Sequence, residues 1–373
     1  MRTELKTKLI MTIKVFCLCY GGMSGLVQLL VIFNIAPNFV AKLGALGFIY
    51  LLVPSLIASL LYHYIRHYIY RPLVDITICQ FNRTIIYLPL YVAQHNGFFK
   101  SEGLNVKIIS GHGDDSTWEK VKCCQASFGI SDPTIMLDEI NNKGKVIASI
   151  LSRVALWGIT AKSIPPMKDM KELSGKTIAV YKSPSTSYML LNKIISDNKL
   201  GRRITVKEIN VGTEISALKD PNIDIVFVTE PIATLAEYNG GHRVISLSKY
   251  FGDMLFTGLF VTDKYINENP EIVQKVVNAF EKSLNHIHSN SVRTLESAIT
   301  EFKDSPKYTV EYSVFKLLLE GIIPEDTTVH ENSWTNCLHV RKPFNASSYN
   351  FSDYVDNSYA LKAANNFSKS KPN

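Results

Sequence analysis

Hydrophobic and polar positions divide the chain into two regimes. From Val15 to Ala41 no residue carries a formal charge, and after Lys42 none does until Arg66. Each stretch has the roughly 20 apolar residues that a membrane-crossing helix needs. Asn34-Ile35-Ala36-Pro37-Asn38 interrupts them with turn formers, so the pattern predicts a transmembrane helical hairpin over residues 14–34 and 43–65, within an anchor of residues 1–71. Tyr62, Tyr64, Tyr68 and Tyr70 beside Arg66 and Arg71 read as an interfacial belt.

Beyond residue 72 the pattern changes to short apolar runs alternating with helical periods. Thr177-Ile178-Ala179-Val180-Tyr181 is apolar and partly β-branched, as a buried parallel strand is. A polar turn, Lys182 to Ser187, follows it, and then Tyr188, Leu191 and Ile195 recur at helical spacing. Strand-like runs at residues 73–78, 105–109, 126–130, 146–151, 158–160, 205–209, 223–228 and 244–245 alternate with helical stretches such as Ile85 to Asn96, which Gly97 stops. This order predicts an α/β domain with parallel sheets over residues 72–340. Residues 341–373 are rich in Asn, Ser and Lys without a sustained period and read as a polar, partly disordered tail.

Pockets in open α/β sheets form outside the carboxyl ends of strands. Four such ends are polar here: Asn82-Arg83, Ser131-Asp132, the Ser183 to Ser187 cluster, and Thr229-Glu230. Any one of them is ordinary turn chemistry, since Asn, Asp, Ser and Thr bond their own backbone. Ser185 and Thr186, where a helix begins, also suit an N-cap whose free amides attract an anion.

Composition narrows the classes. Forty Lys and Arg against 33 Asp and Glu leave +7, dispersed along the soluble part without a basic run of five, so nucleic-acid binding is not indicated. Six cysteines are irregularly placed and show no zinc spacing, and Cys123-Cys124 reads as semi-buried packing. No nucleophile–base pair or metal constellation is legible, so neither catalysis nor a cofactor is expected.

The order of several motifs carries a resemblance. Tyr87 to Leu104 (YLPLYVAQHNGFFKSEGL), Ala126 to Ile130, Lys171 to Val180, Asp224 to Pro231 and Val261 to Val273 together resemble substrate-binding proteins of the nitrate, sulfonate, taurine and thiamine-pyrimidine-precursor group. The resemblance implies a periplasmic-binding-protein clamp of type II, with one lobe from about residues 73–160 plus 250–340 and the other from 161–249. It implies ligand contacts from Asn82, Arg83, Ser131, Asp132, Ser185, Thr186 and Glu230, with Tyr87 and Trp157 as aromatic walls.

It further implies capture of a small polar solute (sulfonate, nitrate, taurine or pyrimidine-like) for an ABC-type permease. The alternatives are an enzyme of pyrimidine or cofactor-precursor metabolism on the same fold, and a membrane-bound ligand sensor. Against the enzyme, the cysteine-rich iron-site motif of the pyrimidine-precursor synthases is replaced by Phe256-Thr257-Gly258-Leu259-Phe260. The Lys and His that those enzymes carry after the strand ending here in Ser131-Asp132-Pro133 are also absent. Topology pulls two ways: basic residues before the first span and after the second place both ends in the cytoplasm, whereas the resemblance implies an external clamp, which a single true span would give.

Overall fold

The chain divides into two units, Met1–Leu73 and Val74–Asn373, and the second holds both sheets and the cleft between them. In the computed structural model, residues 60, 73–137, 139, 143–342 and 345–370 are described, with side chains to 366. The hairpin read over residues 14–34 and 43–65 lies outside the described residues, Leu60 apart. Among the described residues no helix is long and apolar enough to cross a membrane.

The strands, in chain order, are β1 (Val74–Gln80), β2 (Leu104–Ser110), β3 (Phe128–Ser131), β4 (Gly144–Arg153), β5 (Trp157–Thr160), β6 (Thr177–Tyr181), β7 (Thr205–Ile209), β8 (Ile225–Val228), β9 (His242–Ser246) and β10 (Asp253–Thr262). They form two five-stranded sheets, ordered β2-β1-β3-β10-β4 and β7-β6-β8-β5-β9. In the first, β1 runs parallel to β2 and β3; in the second, β6 runs parallel to β7 and β8.

Helices that bear on the site are α1 (Leu88–His95), α2 (Asp114–Lys122), α3 (Thr186–Asp197), α4 (Glu214–Lys219), α5 (Ile232–Tyr238), α6 (Pro270–Ser289), α7 (Ser291–Glu301), α8 (Lys307–Leu319), α9 (Glu331–Arg341) and α10 (Ser358–Ser370). The longest, α6, buries Val273, Val276, Val277, Phe280, Leu284 and Ile287, a spacing of three and four that lays one stripe on the core.

Four features differ from the sequence reading. The sheets are mixed: β10 is antiparallel to β3 and β4, and β5 to β8 and β9. These are the strands that enter each sheet directly after the chain crosses from the other, over links shorter than the dozen or more residues that a parallel crossover needs: residues 154–156 before β5, and residues 247–252, with one short helix, before β10. β5 belongs to the second sheet, so the chain leaves the first lobe between Arg153 and Trp157, through the buried link Val154-Ala155-Leu156. The expected tail carries α10, which buries Ala360 and Ala363 against α6, while Asp356 N–H donates to the Val146 carbonyl at 2.9 Å. Small alanines made that stripe hard to see in a polar sequence. Cys123 and Cys124 are both exposed, at the turn that ends α2.

Gly129 shows how tightly the first sheet is built. It lies on β3 opposite Phe260 of β10, and a Cβ there would sit 2.1 Å from the Phe260 ring. Gly129→Ala is therefore expected to lower stability by about 1–3 kcal/mol in chemical denaturation, the usual cost of overpacking a filled core; an unchanged midpoint would show that the ring can move aside.

Candidate ligand-binding site

The six parallel strands all end at one cavity of about 320 Å³. Each supplies lining residues from the loop or the helix start that follows it: Asn82 and Arg83 after β1, Asp114 after β2 and Asp132 after β3. From the second sheet come Ser185 and Thr186 after β6, Gly212 and Glu214 after β7, and Glu230 after β8. Aromatic surface completes it, with Tyr87, Phe256 and Phe302 among the walls. The carboxyl ends of the parallel strands of both sheets meet at this one cavity, so backbone topology brings together residues as distant as Asn82 and Glu230.

Hydrogen bonds cross the cleft. The Thr186 hydroxyl donates to Asp132 Oδ2 at 2.6 Å, and the Thr84 hydroxyl donates to the Glu230 carbonyl at 2.9 Å. From the far end of α9, Arg341 Nη1 donates to the Pro184 carbonyl at 2.7 Å. These bonds are among those that latch the two halves of the cleft together.

The carboxylates differ in how far they are satisfied. Asp132 Oδ1 accepts from the backbone N–H and hydroxyl of Thr134, at 2.9 and 2.7 Å, and its own N–H donates to Asp114 Oδ1 at 3.1 Å. Burial, and next the charge of Asp132, push the Asp114 carboxyl up to about 7. Glu214 takes the Tyr181 hydroxyl at 2.6 Å and the Gly212 N–H at 3.0 Å. Burial first, and then the charge of Glu214, hold the Tyr181 phenol far above its ordinary value, so that it stays a donor.

Glu230 is fully buried and occupied. Its Oε1 accepts from Arg243 Nη2 at 2.5 Å and from the Thr234 hydroxyl, and its Oε2 from the Thr234 N–H and the Ser313 hydroxyl. Its carboxylate fixes α5 and α8 to β9 and has no acceptor capacity to spare for a solute. Ser185 is likewise committed: it accepts from the Tyr188 N–H at the start of α3 and donates to the Tyr181 carbonyl.

Arg83 lines the cavity but is held by α7: Nε donates to Glu301 Oε1 at 2.9 Å, Nη2 to the Glu301 carbonyl, and the guanidinium lies 4.9 Å from the Phe302 ring centre. Burial raises the Glu301 carboxyl, but hydrogen bonds from Arg83 and His95 outweigh it and leave it below its ordinary value.

Two candidates lie off the cavity. Ser131 is buried in the sheet opposite Gly258. Trp157 is buried in the second sheet, its Nε1 donating to Glu320 Oε1 at 3.0 Å and its ring 4.8 Å from the Arg243 guanidinium. Three residues absent from the sequence reading matter: Asp114, Glu214 and Arg243. The first two follow strand ends, the same signal that marked the others.

A family model described as NMT1/THI5 like matches residues 85–293, more than half of the chain. The chain belongs to that family. YtlA of Bacillus subtilis, named as a binding protein, is 24% identical over 270 residues, covering 70% of this chain and 81% of YtlA. The zinc-bound ligand-binding component of an ABC-type import system from Staphylococcus aureus superposes with a TM-score of 0.62 at 13% identity, covering 78% of this chain and 99% of that one. The alkanesulfonate-binding protein SsuA of Xanthomonas axonopodis pv. citri, bound to MOPS, gives 0.58 at 12% identity, covering 79% and 98%. At these identities the structural likeness is one of fold: this chain has the two-sheet α/β fold of periplasmic binding proteins.

Proposed function

We propose that this chain is a solute-binding protein whose two lobes close on a small solute and pass it to an ABC-type permease, with the N-terminal segment holding it at the membrane. The carrying observation is the cavity between the two sheets, lined from all six parallel strand ends and latched by Thr186–Asp132 and Thr84–Glu230 from opposite sides. Family membership supports the reading, as do the ABC import component and SsuA among the fold relatives. The solute touches Asn82, Tyr87, Asp132 and Thr186, while Ser185, Arg83 and Glu230 position the loops that carry those contacts. A clamp that feeds a permease must face the side from which solute arrives, which places it outside.

A ligand that binds only the folded chain stabilises it, by about 2.7 kcal/mol at 100 times its dissociation constant. Thermal unfolding of the full chain in detergent, against sulfonates, nitrate, taurine, pyrimidines and amines, is expected to show such a shift for at least one solute. A flat response across the whole set would remove the solute-binding reading.

A further inference from the structure

The geometry points to an organic cation, a protonated or quaternary amine on a compact aromatic or alkyl body, as the solute class of this cleft, and to Asp114 as the residue that selects it. This rests on the solute-binding reading and adds the sign of the charge. Sulfonate and nitrate need donors or cations that converge on them. Among the described residues the lining contains no lysine and no histidine, and its one arginine, Arg83, is bound to Glu301 and stacked over Phe302. Four carboxylates line the same space.

Glu230 and Asp132 hold donors from the protein on both carboxylate oxygens: Glu230 is neutralised by Arg243 and also takes Thr234 and Ser313, and Asp132 accepts from Thr134 and Thr186. Glu214 takes the Tyr181 hydroxyl and the Gly212 N–H, both on Oε1. Asp114 is the least satisfied of the four: among the described residues one donor, the Asp132 N–H, reaches it, on Oδ1. A second observation is independent of charge. Phe81, Tyr87, Tyr181, Phe256 and Phe302 surround the cavity, and aromatic faces attract cations and repel anions.

The charges around Asp114 agree with this assignment. Asp115 on its own helix, Asp132 after β3 and the buried Tyr87 before α1 bear on it, and burial followed by the Asp114 charge raises the Tyr87 phenol. From α9 come the buried thiol Cys337, which senses Asp132, and Arg341, whose Nη1 is committed to the Pro184 carbonyl. Asp114 and Asp132 cannot both stay ionised cheaply without a further cation. An entering ammonium supplies that charge and displaces the proton.

The test is calorimetric titration of the full chain with two probes that share one body and keep their charge at every pH used, benzyltrimethylammonium and phenylmethanesulfonate. Benzylammonium and benzamidinium serve as donor-bearing cations. At least one cation is expected to bind, with affinity rising roughly thirty-fold from pH 5.5 to 8.5 as Asp114 ionises. In Asp114→Asn that affinity is expected to fall at least ten-fold and to lose its pH dependence. Binding of phenylmethanesulfonate in place of the cations overturns the inference and leaves the solute-binding reading standing, as does a neutral solute that binds when no cation does. Cation binding that is unchanged in Asp114→Asn overturns the role of Asp114. No binding by any solute removes both readings.

Discussion

Arg243→Met is expected to destabilise the folded chain by about 3–5 kcal/mol, the cost of leaving one member of a buried ion pair without its partner. Glu230 is wholly buried and the Arg243 side chain is 11% exposed, so water cannot take over the missing bond. Methionine replaces the aliphatic stem and much of the packing on Trp157, which isolates the charge as the cause. Glu237, 2.9 Å from Arg243 Nε, loses its partner as well but is more exposed, and adds little. The double variant Arg243→Met, Glu230→Gln should recover more than half of the loss, because an amide can still take the Thr234 and Ser313 donors without a buried charge. Urea denaturation of the four chains gives the cycle. A single-variant loss under about 1 kcal/mol would show that the pair is hydrated and that Glu230 is free to meet a solute.

The reach of the sequence was greatest where local rules suffice. Alternation of apolar runs and helical periods marked the parallel strands, and polar residues after β1, β3, β6 and β8 marked the loops that line the cavity. The misses have specific causes. Asp114 and Glu214 also follow parallel strands, but each opens a helix, and an acid in a first turn reads as a helix-dipole partner before it reads as a ligand group. β10 is a nearly continuous apolar run whose residues are almost all buried, so it has no alternation to reveal its direction or its faces.

β5 is four residues long and buried throughout, which is why Trp157 could not be assigned to the cavity side or the far side. The pairings of Arg83 with Glu301 and of Arg243 with Glu230 decide which charges are free. They depend on how β1 meets α7 and how β9 meets α5, and one chain read in order does not contain that information.

Asp114→Asn is expected to make the protein more stable, and increasingly so as pH rises. The folded-state carboxyl titrates at about 7, against an ordinary value of 3.8. Between those values the folded chain holds a proton that the unfolded chain has released. The contribution of the protonated carboxyl to stability is therefore fully present below about pH 4, declines through the window, and is lost above 7. Asparagine keeps an acceptor for the Asp132 N–H and never ionises, so it escapes that decline. A shift of about three units corresponds to roughly 4 kcal/mol. Asp114 retains some contact with solvent in the cleft, and screening lowers the expected gain of the variant between pH 4 and pH 8 to about 2–4 kcal/mol.

Glu301 and Glu320 titrate in the opposite sense. Burial raises each, hydrogen bonds outweigh it, and the net lowering means that their contributions are lost as pH falls. Both groups are present in either chain, so they cancel in the difference between variant and parent, which is the quantity to measure by urea denaturation across the pH series. A difference that stays flat from pH 4 to 8 would mean that Asp114 is ionised throughout in the folded chain, with a compensating cation already beside it.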